Sequence, residues 1–84
     1  MKKIVIDGDK IDSREMLFAS IKEQLQSEEF QGNNLDALYD ALTGPGQAAE
    51  LEMRNPGALY EKFGSYMSRL VSVFLDAKEY REQV

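Results

Sequence analysis

Asp36 and Asp40 lie four residues apart in the run Leu35-Asp36-Ala37-Leu38-Tyr39-Asp40-Ala41-Leu42. On a helix turning ~100° per residue, Leu35, Leu38 and Leu42 share one sector and must face a core. Both carboxylates then stand on the opposite side, with Tyr39 at the border. Two carboxylates one turn apart can serve as an acid–base pair, chelate a cation, or accept charge-assisted hydrogen bonds from another protein's arginines and lysines. Acid–base work needs surroundings that separate the two pKa values, and a solvated helix face with no evident cleft supplies none. Hard cations usually require more oxygens than two exposed carboxylates offer. Protein recognition needs only that no cation of the same chain neutralises them first, and no basic residue occurs between Lys22 and Arg54.

A structural interpretation stands beside the functional one. Asp36 falls in the first helical turn, where exposed amides favour an acid whatever the function. Asp40 fits a solvated face, and Tyr39 fits a half-buried border position.

The distribution of charge favours recognition. Net charge is −5, and the interval between Lys22 and Arg54 contains seven acids: Glu23, Glu28, Glu29, Asp36, Asp40, Glu50 and Glu52. Such a field repels nucleic acid and membranes and attracts a cationic surface. Neither cysteine nor histidine is present. Thiolate chemistry, disulfides, the usual general base and the commonest metal ligands are therefore excluded, and no cofactor or metal site is expected. Eighty-four residues suit one domain, residues 1–84, with a small core. The apolar start, Ile4-Val5-Ile6, is too short for a signal peptide or a spanning helix, so a cytoplasmic location is expected.

The elements that must hold the two aspartates follow from local pattern. Lys3 to Asp7 reads as a strand closed by a turn at Asp7-Gly8-Asp9. A helix is predicted from about Ser13 to Gln26, with Leu17, Phe18, Ile21 and Leu25 inward; either Asp12, through a box with Glu15, or Ser13 can cap it. After the turn Gln31-Gly32-Asn33-Asn34, Asn34 caps a short helix over Leu35–Leu42, and Thr43-Gly44-Pro45-Gly46 ends it. Glu50 to Arg54 alternates as a second strand, with Leu51 and Met53 inward. Asn55 then caps a helix that opens on Pro56 and breaks at Gly64. Ser65 caps a last helix burying Tyr66, Met67, Leu70, Val71 and Phe74, and the polar tail from Lys78 frays. Helices between the two strands imply a parallel sheet in a small α/β domain.

Phe30-Gln31-Gly32-Asn33-Asn34-Leu35-Asp36-Ala37-Leu38-Tyr39-Asp40-Ala41-Leu42-Thr43-Gly44 resembles, without a gap, the inhibitory loop and second helix of the barstar family. That family pattern is aromatic–x–Gly–x–Asn–Leu–Asp–Ala–Leu, then Trp or Tyr, then Asp–x–Leu–Thr–Gly. Lys2 to Gly8, Leu51 to Arg54 and Val73 to Lys78 resemble its first strand, second strand and last helix. The resemblance implies a two-layer barstar-like domain, a short parallel sheet against about four helices. It also implies an inhibitor whose partner is a basic ribonuclease of the extracellular type. By position, Asp40 is the phosphate mimic and Asp36 meets the rim of the cleft. Asn34, Thr43 and Gly44 lie at the contact, and Phe30 and Tyr39 supply aromatic area.

Departures from the pattern are local. Phe30 lacks a tyrosine hydroxyl, Gln31 and Pro45 stand for aromatics, Tyr39 for tryptophan, and no glutamate occurs near Ser68, where the family can place one facing the enzyme. The family's apolar third strand has no counterpart in Arg81-Glu82-Gln83-Val84. Self-association along an open sheet edge, as a homodimer, is one expected compensation. A non-inhibitory interaction or structural module on the same fold is the alternative function.

Overall fold

The computed structural model describes residues 2–27, 30, 32–44 and 47–83. The turn expected at Gln31 and the helix stop expected from Pro45-Gly46 lie outside them. Ile4 and Ile6 are fully buried along β1 (Lys2–Asp7), which pairs in parallel with β2 (Ala49–Arg54). Ile4 lies beside Leu51 and Ile6 beside Met53. Those four side chains turn toward the helices, so the sheet has one face on the core, although Leu51 and Met53 at its edge are only half-buried.

Four helices complete the domain: α1 (Arg14–Leu25), α2 (Leu35–Leu42), α3 (Pro56–Phe63) and α4 (Ser65–Gln83). The parallel sheet and four helices are the architecture the sequence implies. Ser13 caps α1, its hydroxyl accepting from the Met16 amide at 3.1 Å. Leu17, Phe18, Ile21 and Leu25 line the buried face of α1, as their spacing dictates. Among the described residues no polar or charged side chain is buried, so the core rests on apolar packing. None of the described helices is long and apolar enough to cross a membrane.

Three expectations are corrected. Asn55 holds the N-cap position of α3 but makes no side-chain cap bond there: it adopts a left-handed conformation (φ 52°), and its side chain donates to Asp7 Oδ1 at 2.9 Å, tying the ends of both strands together. Ser65 is the first residue of α4 rather than its cap, because Gly64 at φ 59° turns the chain directly from α3 into α4. The polar tail is helical to Gln83, held where Arg81 donates to the Leu42 carbonyl at 3.0 Å. Gly8 is required by close approach, since a Cβ there would lie 2.3 Å from the Asn55 carbonyl oxygen.

The Asp7 carboxyl lies below its ordinary value of 3.8 because it accepts from Asn55 and, secondarily, from the Asp9 amide. Arg54, then Lys3, lower Glu52 in the same way. A carboxyl with a depressed folded pKa stabilises the fold above its unfolded pKa, and that stability is lost as pH falls through the folded value. The melting temperature should therefore drop as pH falls below about 4. In Asn55→Gly, which keeps the left-handed backbone accessible, that acid decline should be shallower. Parallel curves for the two proteins would contradict this.

Candidate functional site

The geometry of α2 begins in the loop before it. A Cβ on Gly32 would lie 2.7 Å from that of Ala37, so only glycine lets the chain pass so close to the first turn. Asn34, in extended conformation, caps the helix with its side-chain oxygen, which accepts from the Ala37 amide at 2.8 Å. Lys22 of α1 donates to Asn33 Oδ1 at 2.7 Å and stands 5.4 Å from the centre of the Phe30 ring. One cation of α1 thus fastens the loop on both sides. Removing the cap should weaken the helix that carries the site: Asn34→Ala should cost about 1 kcal/mol in chemical denaturation, and a loss near zero would show the cap to be idle.

Beyond the cap, α2 follows its sequence pattern. Leu38, Ala41 and Leu42 are buried, Tyr39 is half-buried, and Asp36 and Asp40 are exposed. Among the described residues neither aspartate carboxylate has a hydrogen bond or an ion pair; the ion pairs present join Lys3 and Arg54 to Glu52 and Lys62 to Asp12. The cation nearest in function, Arg81, is directed to the Leu42 carbonyl, where it satisfies the C-terminal end of α2. Thr43 closes the same end, its hydroxyl donating to the Tyr39 and Asp40 carbonyls at 2.9 and 3.2 Å. The Gly44 amide donates back to the Ala41 carbonyl at 3.3 Å. The helix is therefore satisfied at both ends while its two acids remain unpaired.

Six of the seven expected contact residues lie on this one element and its ends: Asn34, Asp36, Tyr39, Asp40, Thr43 and Gly44. Phe30 does not join them. It is 4% exposed and meets Phe18 edge-on, with ring centroids 6.3 Å apart. An aromatic ring placed before a glycine turn gains more by filling the core than by facing water, so Phe30 anchors the loop instead of offering contact area.

The structure adds residues that sequence reasoning missed. Tyr39 shares a surface groove with Asp76, Glu79, Tyr80 and Gln83 of α4. Asp76 and Glu79, likewise without an ion pair among the described residues, extend the negative surface of α2 onto its neighbour. A usable signal existed: Phe74, Ala77 and Arg81 stand at helical spacing across Lys78, the first two buried and the third half-buried, which places Asp76, Glu79 and Tyr80 on the outer side. No three carboxylates of the described residues come together as a metal-binding group.

The family model described as Barstar (barnase inhibitor) matches residues 1–84. The chain belongs to the Barstar family. It is also 35% identical, over 80 residues, to a Bacillus subtilis (strain 168) protein named "Putative ribonuclease inhibitor YrdF"; the match covers 94% of this chain and 88% of that protein. Within a Barstar-family chain the unpaired acids of α2 gain a definite context, since the family's description is of an inhibitor and not of an enzyme.

Proposed function

We propose that this chain is a stoichiometric inhibitor of a small basic ribonuclease of the extracellular type, acting in the cytoplasm of the cell that makes the nuclease. The observation that carries the reading is the pair of exposed, unpartnered carboxylates, Asp36 and Asp40, on a short helix held at both ends, in a chain of the Barstar family. A ribonuclease cleft holds the phosphates of its substrate with cationic side chains. A carboxylate offers the same charge and two acceptor oxygens, and arginine can engage both at once. Asp40 fills the phosphate position and Asp36 the rim, while Asp76 and Glu79 extend the field toward the rest of the cleft.

Tyr39, half-buried at its base, and Tyr80, 46% exposed, provide aromatic contact area beside the acids. Asn34 uses its side-chain oxygen as the cap, leaving its amide protons for the partner. Thr43 retains its acceptor lone pairs, and Gly44 lets the partner approach the end of the helix without a side chain between them. Because the helix is preorganised, association loses little conformational entropy, and the association rate should be set by electrostatic steering. The barnase–barstar pair is the established example of that steering.

The test is capture on the immobilised chain from a lysate and culture medium of the source bacterium, followed by titration of the captured ribonuclease. Activity should fall linearly to zero at one equivalent. Full activity in excess inhibitor would favour the non-inhibitory module.

A further inference from the structure

We propose that the outer edge of β2 pairs with the same edge of a second copy of this chain, antiparallel about Glu52, to form a four-stranded sheet. The two edges of the sheet are finished differently. On the β1 side the Gln24 side chain imitates a neighbouring strand: its carbonyl accepts from the Val5 amide at 2.7 Å, and its amide donates to the Val5 carbonyl at 2.8 Å. Lys2 donates to the Leu25 carbonyl on the same flank. Among the described residues no side chain does this for β2.

Ladder parity identifies the groups left open. The Ala48 and Arg54 carbonyls accept from Lys2 and Gly8, so the even-numbered residues turn their backbone groups toward β1. Ala49, Leu51 and Met53 therefore point theirs outward, a ready template for another strand. Beside them lies a groove of about 310 Å³ between β2 and Val71, Phe74 and Leu75 of α4, and Leu75 is 61% exposed. A two-stranded sheet is marginal by itself, and additional strands would stabilise it.

The charge pattern of Ala49-Glu50-Leu51-Glu52-Met53-Arg54 selects a second copy as the occupant. With Glu52 on the twofold axis, Leu51 exchanges backbone bonds with Met53 of the second copy, and Glu50 faces Arg54 of the second copy, each twice. Shifting the axis to Leu51 would oppose Glu50 to Glu52 twice, a repulsive register. With Glu52 on the axis, Asn55, in its left-handed conformation, falls at the very end of the ladder, opposite Ala49; shifting the axis to Met53 would move it inward to face Leu51 and leave Met53 as the one regular bonded pair. The two Glu52 carboxylates at the axis are each already bound by Lys3 and Arg54 of their own chain. None of the α2 acids takes part, so the proposal stands apart from the ribonuclease reading.

Sedimentation velocity on the full chain, from micromolar to millimolar concentration, tests it. A dimer should appear as concentration rises, with slowed hydrogen exchange at the Leu51 and Met53 amides. Glu50→Arg and Arg54→Glu should each weaken it about tenfold, and an equimolar mixture of the two variants should restore association, because only the mixed pair has opposite charges face to face. Leu75→Lys, at an exposed position, should weaken it with the fold intact by circular dichroism. A monomer throughout, fast exchange at Leu51 and Met53 within a dimer, or variants without effect and without mixed rescue would overturn the proposal. Pairing only with a peptide of another protein would do so as well.

Discussion

Replacing Asp40 with alanine should raise the dissociation constant for the ribonuclease about a thousandfold, roughly 4 kcal/mol. That magnitude lies within the range of about 2–5 kcal/mol or more for truncating one partner of a buried interfacial charge pair; in the barnase–barstar complex close charge pairs couple by about 1.5–7 kcal/mol. Most of it reflects the partner's cations, left desolvated and unpaired in the cleft, and it should appear chiefly in the dissociation rate. The substitution should hardly affect folding, because Asp40 is exposed and its carboxylate has no partner among the described residues; a change within about 0.5 kcal/mol is expected in chemical denaturation. Asp36→Ala should cost much less, about tenfold, because an acid at the rim stays hydrated and is screened by salt. Inhibition kinetics of the two variants beside their denaturation curves would check both halves. Equal losses of affinity from the two substitutions would contradict the division into a cleft residue and a rim residue.

The second large effect concerns the support rather than the contact. Phe18 is 1% exposed and packs edge-on against Phe30, which holds the loop that leads to the Asn34 cap. Phe18→Ala removes the ring from the core and leaves a cavity, at a cost of about 3–5 kcal/mol. A domain of this length has a total stability of roughly 4–13 kcal/mol, so the variant should be at the edge of folding at room temperature. A melting transition displaced strongly downward, with Asn33 and Asn34 amides exchanging faster than those of α3, is the expected outcome. A loss below 1 kcal/mol would mean that the Phe18–Phe30 contact is not part of the folded core. The two predictions separate cleanly: Asp40→Ala should lose binding with stability retained, and Phe18→Ala should lose stability first.

How much of this was legible in the sequence depends on the range of each interaction. The bounds of α2 and the Asn34 cap are local facts, set by leucines three and four residues apart and by an asparagine next to the first turn, and the structure places them where the pattern does. The parallel pairing of the strands was legible from the helices between them. The position of Asn55 before α3 is legible, but the task of its side chain is not, because a capping asparagine and a bridging one look alike until the partner is known, and Asp7 lies 48 residues away. By the family pattern Phe30 supplies contact area, but its burial is decided by α1, through Phe18 and Lys22, which a local pattern does not carry. The helical tail was hidden by its polar composition; what holds it is one apolar contact at Ala77 and one long reach from Arg81 to Leu42. The place of Glu79 beside Tyr39 exists only when α4 continues past Lys78, and that of Asp76 depends on how α4 packs against α2, which no local pattern carries.

The most direct test of the central claim is competition at the ribonuclease between this chain and inorganic phosphate, with total ionic strength held constant. If Asp40 occupies the position of a substrate phosphate, the two cannot bind together, and the apparent dissociation constant of the inhibitor should rise linearly with phosphate concentration. An affinity indifferent to phosphate, or a ternary complex containing all three, would place the aspartates outside the cleft and contradict the account.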